Sequence, residues 1–282
     1  MTERGSGGSE LQREILSYYQ TGTEADRLLR GSGRLEFTRT QSLLERYLPD
    51  PPAVILDVGG GSGIYACPLA RQGYEVHLID AVPLHVEQAL QTSFEQPNQP
   101  LGSARVGDAR TLEQDDCSVD VVLLFGPLYH LTEVSDRLLA LREVRRVLRE
   151  GGAVFAVGIS RFASTLQGIA RGFVNDPAFA SIAERDLAEG QHRNPTEIEG
   201  YFTTAYFHHP EELGPELEVA GFVHERTVAI EGPAWMLQDI DEQWDDPDRR
   251  QRLLVVLRNL EQEPSLLGVS SHIMAIGRKQ SK

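Results

Sequence analysis

Residues 54–70, VILDVGGGSGIYACPLA, place a glycine-rich bend directly after Asp57 and between two apolar segments. The segment before the bend is typical of a buried strand, and the residues after it predict a helix that closes on Gly73. Without a Cβ atom, glycine lets the backbone turn tightly and approach a ligand closely. Four glycines form the bend: Gly59, Gly60, Gly61 and Gly63. Their number favours a ligand site over a simple turn.

Strands and helices alternate on both sides of this bend. After 53–58, further strands are predicted in 74–80, 101–109, 120–126 and 153–160, with helices in 63–73, 84–94 and 134–152. This alternation predicts an α/β fold with a doubly wound, Rossmann-like parallel sheet and helices on both faces. Two later strands, in 223–233 and 268–279, are close enough along the chain to pair antiparallel at one sheet edge.

The chain divides into five segments by composition and periodicity. Small polar residues predict a disordered leader, and two helical patterns, which GSGR at 31–34 separates, predict an N-terminal helical cap. Between 161 and 206 helical fragments run without an intervening strand, which predicts an inserted cap over the carboxyl edge of the sheet. The expected boundaries are 1–10 for the leader, 11–50 for the cap, 51–160 for the core, 161–206 for the insertion and 207–282 for the rest of the core.

Charge and composition exclude several classes of protein. A net charge of −15 argues against nucleic acid as a partner, because nucleic-acid binders present a basic face. No apolar segment approaches the ~20 residues that cross a bilayer. Cys67 and Cys117 lie far apart, which predicts neither a disulfide nor a zinc site. We expect a soluble, cytoplasmic protein without a metal, as a monomer or a homodimer.

Two classes of ligand compete for the bend. Residues 61–66, GSGIYA, fit the dinucleotide pattern GxGxxA, and Asp80 follows at the distance of a ribose-binding acid. Asp57 argues against a pyrophosphate, which gains nothing from a carboxylate just before the glycines. A third acid, Asp108, follows the third strand. Three carboxylates around one pocket favour a cationic ligand that carries a ribose and an adenine amino group.

The motifs LDVGGGSG (56–63), LID (78–80), VGDA (106–109) and VVLLFGPLYHL (121–131) resemble, in order and spacing, those of class I S-adenosylmethionine-dependent methyltransferases. The resemblance is strong from Pro51 to Ser160 and weak over the last strand. It implies a seven-stranded sheet whose last strand inserts antiparallel, with S-adenosylmethionine as cofactor.

The resemblance also implies roles for individual residues. Gly59, Gly61 and Gly63 would lie along the methionine part of the cofactor, and Asp57 would support that loop near the amino group. Asp80 would accept from both ribose hydroxyls, with Ala81 beside the adenine. Asp108 would accept from the adenine amino group, with Ala109 offering its backbone. The floor near the sulfonium would consist of Phe125, Gly126 and Pro127.

Catalytic candidates follow the fourth strand. In-line methyl transfer needs mainly orientation, and a general base only for a weakly acidic acceptor such as an alcohol or phenol. His130 is the first candidate for a base, because an imidazole pKa near 6.5 suits proton removal, and Tyr129 would face the methyl group. Simple packing at the start of a helix is the alternative for His130. The adjacent pair His208 and His209 predicts a turn rather than a metal site.

Several residues outside the core are candidates for the cavity wall. Tyr19, with Tyr18, could stabilise a sulfonium by cation–π attraction, and Arg39 could pair with the cofactor carboxylate, although helix packing and surface charge are the alternatives. Aromatic residues of the later chain predict an apolar pocket; they are Tyr201, Phe202, Tyr206, Phe207 and Trp235, with Met236.

The sequence therefore predicts a methyltransferase that acts on a small molecule, at oxygen first and at nitrogen or carbon as alternatives. Two other functions stay open at this point. One is a nicotinamide-dependent (NAD-dependent) oxidoreductase, and the other is a methyltransferase-like module that binds without catalysis. Methylation of nucleic acid ranks below them because of the acidic charge.

Overall fold

The computed structural model describes residues 19, 27–96, 98–196 and 198–280. The expected leader at 1–10 lies outside the described residues. So does nearly all of the first helix expected before GSGR, including Tyr18; of this region only Tyr19 is described before residue 27.

The described residues form nine strands and ten α-helices, with short 3-10 turns between them. The strands are β1 (Val54–Val58), β2 (Glu75–Asp80), β3 (Ser103–Val106), β4 (Val119–Leu124), β5 (Leu148–Ser160), β6 (Gln191–His192), β7 (Ala205–His208), β8 (Val223–Ala229) and β9 (His272–Arg278). The helices are α1 (Gly31–Tyr47), α2 (Ala66–Arg71), α3 (Pro83–Phe94), α4 (Pro127–His130), α5 (Val134–Val147), α6 (Ala163–Arg171), α7 (Pro177–Glu189), α8 (Leu213–Val219), α9 (Ile240–Asp245) and α10 (Pro247–Leu260).

The predicted fold class is confirmed. Outside the insertion the strands lie in the order β3-β2-β1-β4-β5-β9-β8, and β1 to β5 are parallel. The last strand, β9, runs antiparallel between β5 and β8. Because the chain enters the sheet at β1 and winds outward in both directions, the order reverses beside β1. A ligand crevice is expected at such a reversal, beyond the carboxyl ends of the strands.

The core consists of two hydrophobic layers, one on each face of the sheet. Successive strand residues alternate between them, so that Ile55 packs in one layer and Leu56 in the other. Burial on both faces explains why the central strands read as continuous apolar runs. None of the described helices combines the length and the apolar character that crossing a bilayer requires.

The segment 161–206 is less purely helical than expected. Besides α6 and α7 it contains β6 and the start of β7, which pair antiparallel. β7 also pairs with the end of β5, at Ile159 and Ser160. Since β9 pairs with Ile159 on one edge of β5, β7 lies on the other edge, beyond the end of β4. The inserted segment therefore extends the sheet over its carboxyl edge.

Two helix boundaries differ from the expectation. GSGR at 31–34 forms the first turn of α1 instead of separating two helices. A Cβ atom at Gly33 would meet the carbonyl oxygen of Arg27, so glycine allows the helix to begin against the preceding turn. At the other end of the core, α5 stops at Val147, and Gly151, at a φ of 79°, lies within β5 instead of ending the helix.

Candidate functional site

A cavity of about 990 Å³ opens at the carboxyl ends of β1, β2, β4 and β5. Its walls include the glycine bend after β1 and the loops after β2, β3 and β4. Residues from α1 and from the inserted segment, including α6, also line it. The crevice predicted from strand order therefore exists.

The glycine bend lines this cavity in the conformation that its sequence implies. Gly59 has a φ of 76° and Gly61 a φ of 55°, in the left-handed region that favours glycine. A Cβ atom at Gly59 would lie 2.5 Å from Cδ of Pro127, whereas one at Gly61 would meet no atom within 4 Å. The first glycine thus lets the loops after β1 and β4 touch, and the second leaves the main chain open to the cavity.

Asp80 ties the glycine bend to the loop after β2. Its carboxylate accepts from the backbone N–H of Gly61 at 2.8 Å and of Val82 at 2.9 Å. Nδ1 of His85 lies 3.1 Å from the same group. Asp80 is buried and lines the cavity. An ionised carboxylate offers about four acceptor positions, so Asp80 keeps room for a hydroxyl of a ligand.

Asp57 is fully buried, and neither of its oxygens has a hydrogen-bond partner among the described residues. Burial, together with the charge of Asp80, raises the pKa of Asp57 to about 7. Buried carboxylates are normally paired, since an unpaired one costs free energy. This carboxylate lines the cavity and is suited to a cationic or hydrogen-bond-donating ligand group.

Asp108 lies on the same cavity, at the loop after β3. Its Oδ2 atom lies 2.6 Å from Nη2 of Arg110, and Arg110 also pairs with Asp136. The guanidinium of Arg110 holds the pKa of Asp108 below its ordinary value. Ala109, next to it, is buried and lines the cavity too. The structure therefore brings all three predicted acids, Asp57, Asp80 and Asp108, to one rim.

The loop after β4 forms the floor of the cavity, with Phe125 and Gly126 among its lining residues. Phe125 meets the ring of Tyr65 edge-on, with centroids 5.5 Å apart. Tyr129 also lines the cavity, and its ring lies 4.8 Å from that of His130. These residues therefore line the cavity, and their place near a sulfonium stays a prediction.

His130 is a weaker base than its sequence suggests. Burial lowers its pKa to about 4, so it is neutral at pH 7 and holds a proton weakly. Its Nε2 atom lies 2.7 Å from the hydroxyl of Tyr19. Tyr19 lines the cavity as expected, and its contact with His130 positions both rings on one wall.

Arg39 does not reach the cavity, which corrects the expectation that it binds a cofactor carboxylate. Its side chain is 2% exposed, and its Nε atom donates to the carbonyl of Ile230 at 2.9 Å. Its guanidinium pairs with the buried carboxylate of Glu261, which also pairs with Arg46. Arg39 therefore joins α1 to the later part of the chain.

The predicted aromatic walls are partly correct. Tyr201, Phe202, Phe207 and Trp235 line the cavity, whereas Met236 does not. Tyr206 instead packs against Arg137, whose guanidinium carbon lies 3.8 Å from the ring centroid.

Sequence reasoning missed a charged cluster that also lines the cavity. Glu36 of α1, Glu231 after β8 and His272 of β9 place potential ligand atoms within 4.8 Å of one another. Arg27 binds the Glu36 carboxylate with two hydrogen bonds, and Nδ1 of His272 lies 2.6 Å from Glu231. These groups therefore already pair with each other. Only the antiparallel pairing of β8 with β9 brings Glu231 to His272, across 41 residues of chain.

Comparison with known proteins agrees with this geometry. Residues 56–156 match the family described as a methyltransferase domain. The chain is 32% identical over 139 residues to the ubiquinone/menaquinone biosynthesis C-methyltransferase of Caulobacter vibrioides. The matched region covers 46% of this chain and 53% of that relative. It is 29% identical over 135 residues to the ubiquinone biosynthesis O-methyltransferase of the same species. That match covers 45% of this chain and 52% of the relative. The chain spans about half the length of these curated relatives.

A solved structure supports the fold over a longer stretch. An S-adenosylmethionine-dependent methyltransferase from Methanosarcina mazei superimposes with a TM-score of 0.58 at 19% identity, over 85% of this chain and 98% of that one. At this identity the likeness concerns the fold.

Proposed function

We propose that this chain, whose residues 56–156 match a methyltransferase domain, uses S-adenosylmethionine to transfer a methyl group to a small-molecule acceptor. The observation that carries the proposal is the convergence of Asp57, Asp80 and Asp108 on one cavity around the glycine bend. Three carboxylates at one rim produce a negative potential that favours a cationic ligand.

The residues of the rim fit S-adenosylmethionine. Asp57 is a buried carboxylate without a partner among the described residues, which suits the amino group of the methionine part. Asp80 has acceptor positions left for ribose hydroxyls, and Asp108 faces the same cavity for the adenine amino group. Ala81 and Ala109 would flank the adenine. When bound, the cofactor supplies a methyl group on a positively charged sulfur.

The chain's own residues orient the acceptor and exclude water. Phe202 and Phe207 come from the inserted segment and the strand that follows it, Trp235 from the turn after β8, and Tyr129 from α4; all four face the cavity. Such rings bind an apolar, preferably aromatic, molecule and bury it from solvent. We propose Tyr129 and His130 as contacts of the reacting region, with His130 as a neutral positioning group. The described residues of α1 and of the inserted segment act as the cover.

We propose oxygen as the acceptor atom, with nitrogen and carbon as alternatives. The relatives named above methylate carbon and oxygen in ubiquinone biosynthesis, which makes a ring-containing acceptor reasonable here. A nicotinamide dinucleotide fits less well, because Asp57 next to the bend would repel its pyrophosphate. Cys67 and Cys117 are both free, in agreement with a cytoplasmic protein, and we propose a monomer or homodimer.

Titration calorimetry tests the proposal. We expect S-adenosylhomocysteine to bind in the micromolar range or tighter and NADH to give no heat of binding. Tight binding of NADH without binding of S-adenosylhomocysteine would reverse the assignment. Binding of S-adenosylhomocysteine without methyl transfer to any of a panel of phenols, amines and carboxylic acids would favour a binding module.

A further inference from the structure

His272 and Glu231 form a carboxylate–imidazole pair that lines the same cavity as the three rim acids. His272 is the first residue of β9, and Glu231 follows the end of β8. Nδ1 of His272 lies 2.6 Å from Oε1 of Glu231, and the backbone N–H of His272 donates to Oε2 of the same carboxylate at 3.0 Å. One acid thus holds both the ring and the main chain of His272.

Glu231 is held in place by its own partners. It is 1% exposed, and the hydroxyl of Ser270 donates to its Oε2 atom at 2.8 Å. A carboxylate at Nδ1 favours the tautomer with the proton on Nδ1, which leaves the lone pair of the neutral ring on Nε2. Among the described residues, Nε2 of His272 has no hydrogen-bond partner, and His272 lines the cavity. Its free nitrogen is therefore available to a bound molecule.

The surrounding charges make this imidazole a stronger base than His130. Burial acts to lower the pKa of His272, but the carboxylates of Glu36 and Glu231 outweigh it and raise the pKa above its ordinary value. Arg27, which pairs with Glu36, acts in the opposite direction to those acids. These three are the charged groups that face His272 from α1, from the loop after β8 and from the turn before α1. A base with a pKa near the working pH is the most effective kind.

The pair is also close to the predicted reaction centre. β9 is hydrogen-bonded to β5, and β5 to β4, whose end carries Phe125 and Gly126. Two strand spacings amount to about 10 Å. Tyr65 spans part of this distance, since it contacts Phe125 and is close enough to Glu36 and Glu231 to be affected by their charges. Phe125, Tyr65 and His272 all line the same cavity.

On the premise of the proposed methyltransferase function, we propose that His272, oriented by Glu231, is the general base that removes the proton from a phenolic hydroxyl of the acceptor. The O–H bond breaks and its proton goes to Nε2 of His272. The oxygen's electron pair forms the new bond to the methyl carbon as the carbon–sulfur bond breaks, and that bond's electron pair stays on sulfur. The proton then leaves to solvent.

The strength of the base determines which class of acceptor it can deprotonate. A phenol has a pKa near 10, within a few units of an imidazole, so transfer to His272 is feasible in the transition state. A carboxylic acid is already ionised at pH 7 and needs no base. The aromatic wall formed by Phe202, Phe207 and Trp235 favours a ring in the same place.

The test uses 4-nitrocatechol, whose phenolate absorbs visible light, with the full chain saturated with S-adenosylhomocysteine so that no turnover occurs. At about one pH unit below the pKa of the free probe, we expect the wild-type protein to bind it as phenolate. The variant His272→Gln should bind it with at least tenfold less phenolate absorption. His77→Gln, a change on β2 away from the cavity, is the matched control and should behave as wild type.

Each outcome decides between the claims. Binding as the neutral phenol, unchanged phenolate absorption in His272→Gln, or no binding of the probe overturns the assignment of His272. Failure of S-adenosylhomocysteine to bind overturns the proposed function instead. If His272→Gln does not fold, nitrogen NMR of the wild-type imidazoles replaces it: we expect a ring with its proton on Nδ1 that gains a second proton when the probe binds. No change at any histidine overturns the proposal.

Discussion

Oε1 of Glu231 lies 2.6 Å from Nδ1 of His272, and the two residues are joined by the antiparallel pairing of β8 and β9 rather than by nearness in sequence. Only the neutral imidazole accepts a proton, so methyl transfer to a phenol should rise with pH through the pKa of His272, which the two carboxylates raise. Glu231→Gln removes one of those charges. We expect the midpoint of the pH–rate profile to move to lower pH and the plateau rate to fall about 10- to 100-fold.

The measurement is kcat against pH for wild type and Glu231→Gln. Glu75→Gln is the control, because Glu75 contacts a histidine, His77 on β2, that does not line the cavity. A midpoint that stays in place in Glu231→Gln, or that moves to higher pH, contradicts the assigned role.

Asp57 should reduce the stability of the ligand-free protein at high pH. Its pKa is about 7 when folded, against an ordinary value of 3.8, so the ionised form is disfavoured in the folded state. Stability is therefore unaffected below the unfolded pKa and falls as pH rises from about 4 to 7. The cost reaches about 4 kcal/mol at 1.36 kcal/mol per unit. Asp57→Asn leaves an unpaired amide that costs about 1–3 kcal/mol.

We therefore expect urea denaturation to show that the stability of Asp57→Asn relative to wild type is greater at pH 8 than at pH 5. The same variant should bind S-adenosylhomocysteine more weakly at pH 8. Equal stability differences at the two pH values would mean that Asp57 is not the titrating group.

Asp80→Asn should weaken the binding of S-adenosylhomocysteine about 10- to 100-fold. The carboxylate accepts charge-assisted hydrogen bonds, worth about 1.5–3 kcal/mol each, and an amide replaces one acceptor oxygen by a donor. Calorimetry measures the effect, and Asp115→Asn, an exposed acid outside the cavity, controls for the change in net charge. Equal affinities for Asp80→Asn and Asp115→Asn would remove Asp80 from the cofactor site.

Arg39→Ala should destabilise the fold without affecting the cofactor. It leaves Glu261 paired with Arg46 alone in a buried setting, and breaking a buried ion pair costs about 3–5 kcal/mol. We expect a clear loss in the free energy of unfolding and an unchanged dissociation constant for S-adenosylhomocysteine. Arg105→Ala, at an exposed ion pair, is the control. Weaker binding with unchanged stability would restore Arg39 as a cofactor ligand.

Much of the fold could be predicted because its signals are local. The strand–glycine–helix pattern at 54–70 and the acids after β2 and β3 depend on neighbouring residues, and parallel strands carry their loops to one edge. Asp57, Asp80 and Asp108 therefore meet where the sequence indicates. The helix boundaries at Gly31 and Val147 were wrong, because packing overrides glycine as a local stop signal.

The sequence by itself determined the fold class, the alternation of strands and helices in the core and the three acids at its strand ends, since each depends on periodicity, glycine and the direction of parallel strands. Only the tertiary structure decided which charged groups reach the cavity. It buries Arg39 against Glu261, lowers the pKa of His130 by removing water, and brings Glu231 and His272 together across two antiparallel strands. These features depend on burial and on contacts between distant parts of the chain, and a residue's neighbours in sequence determine neither of the two.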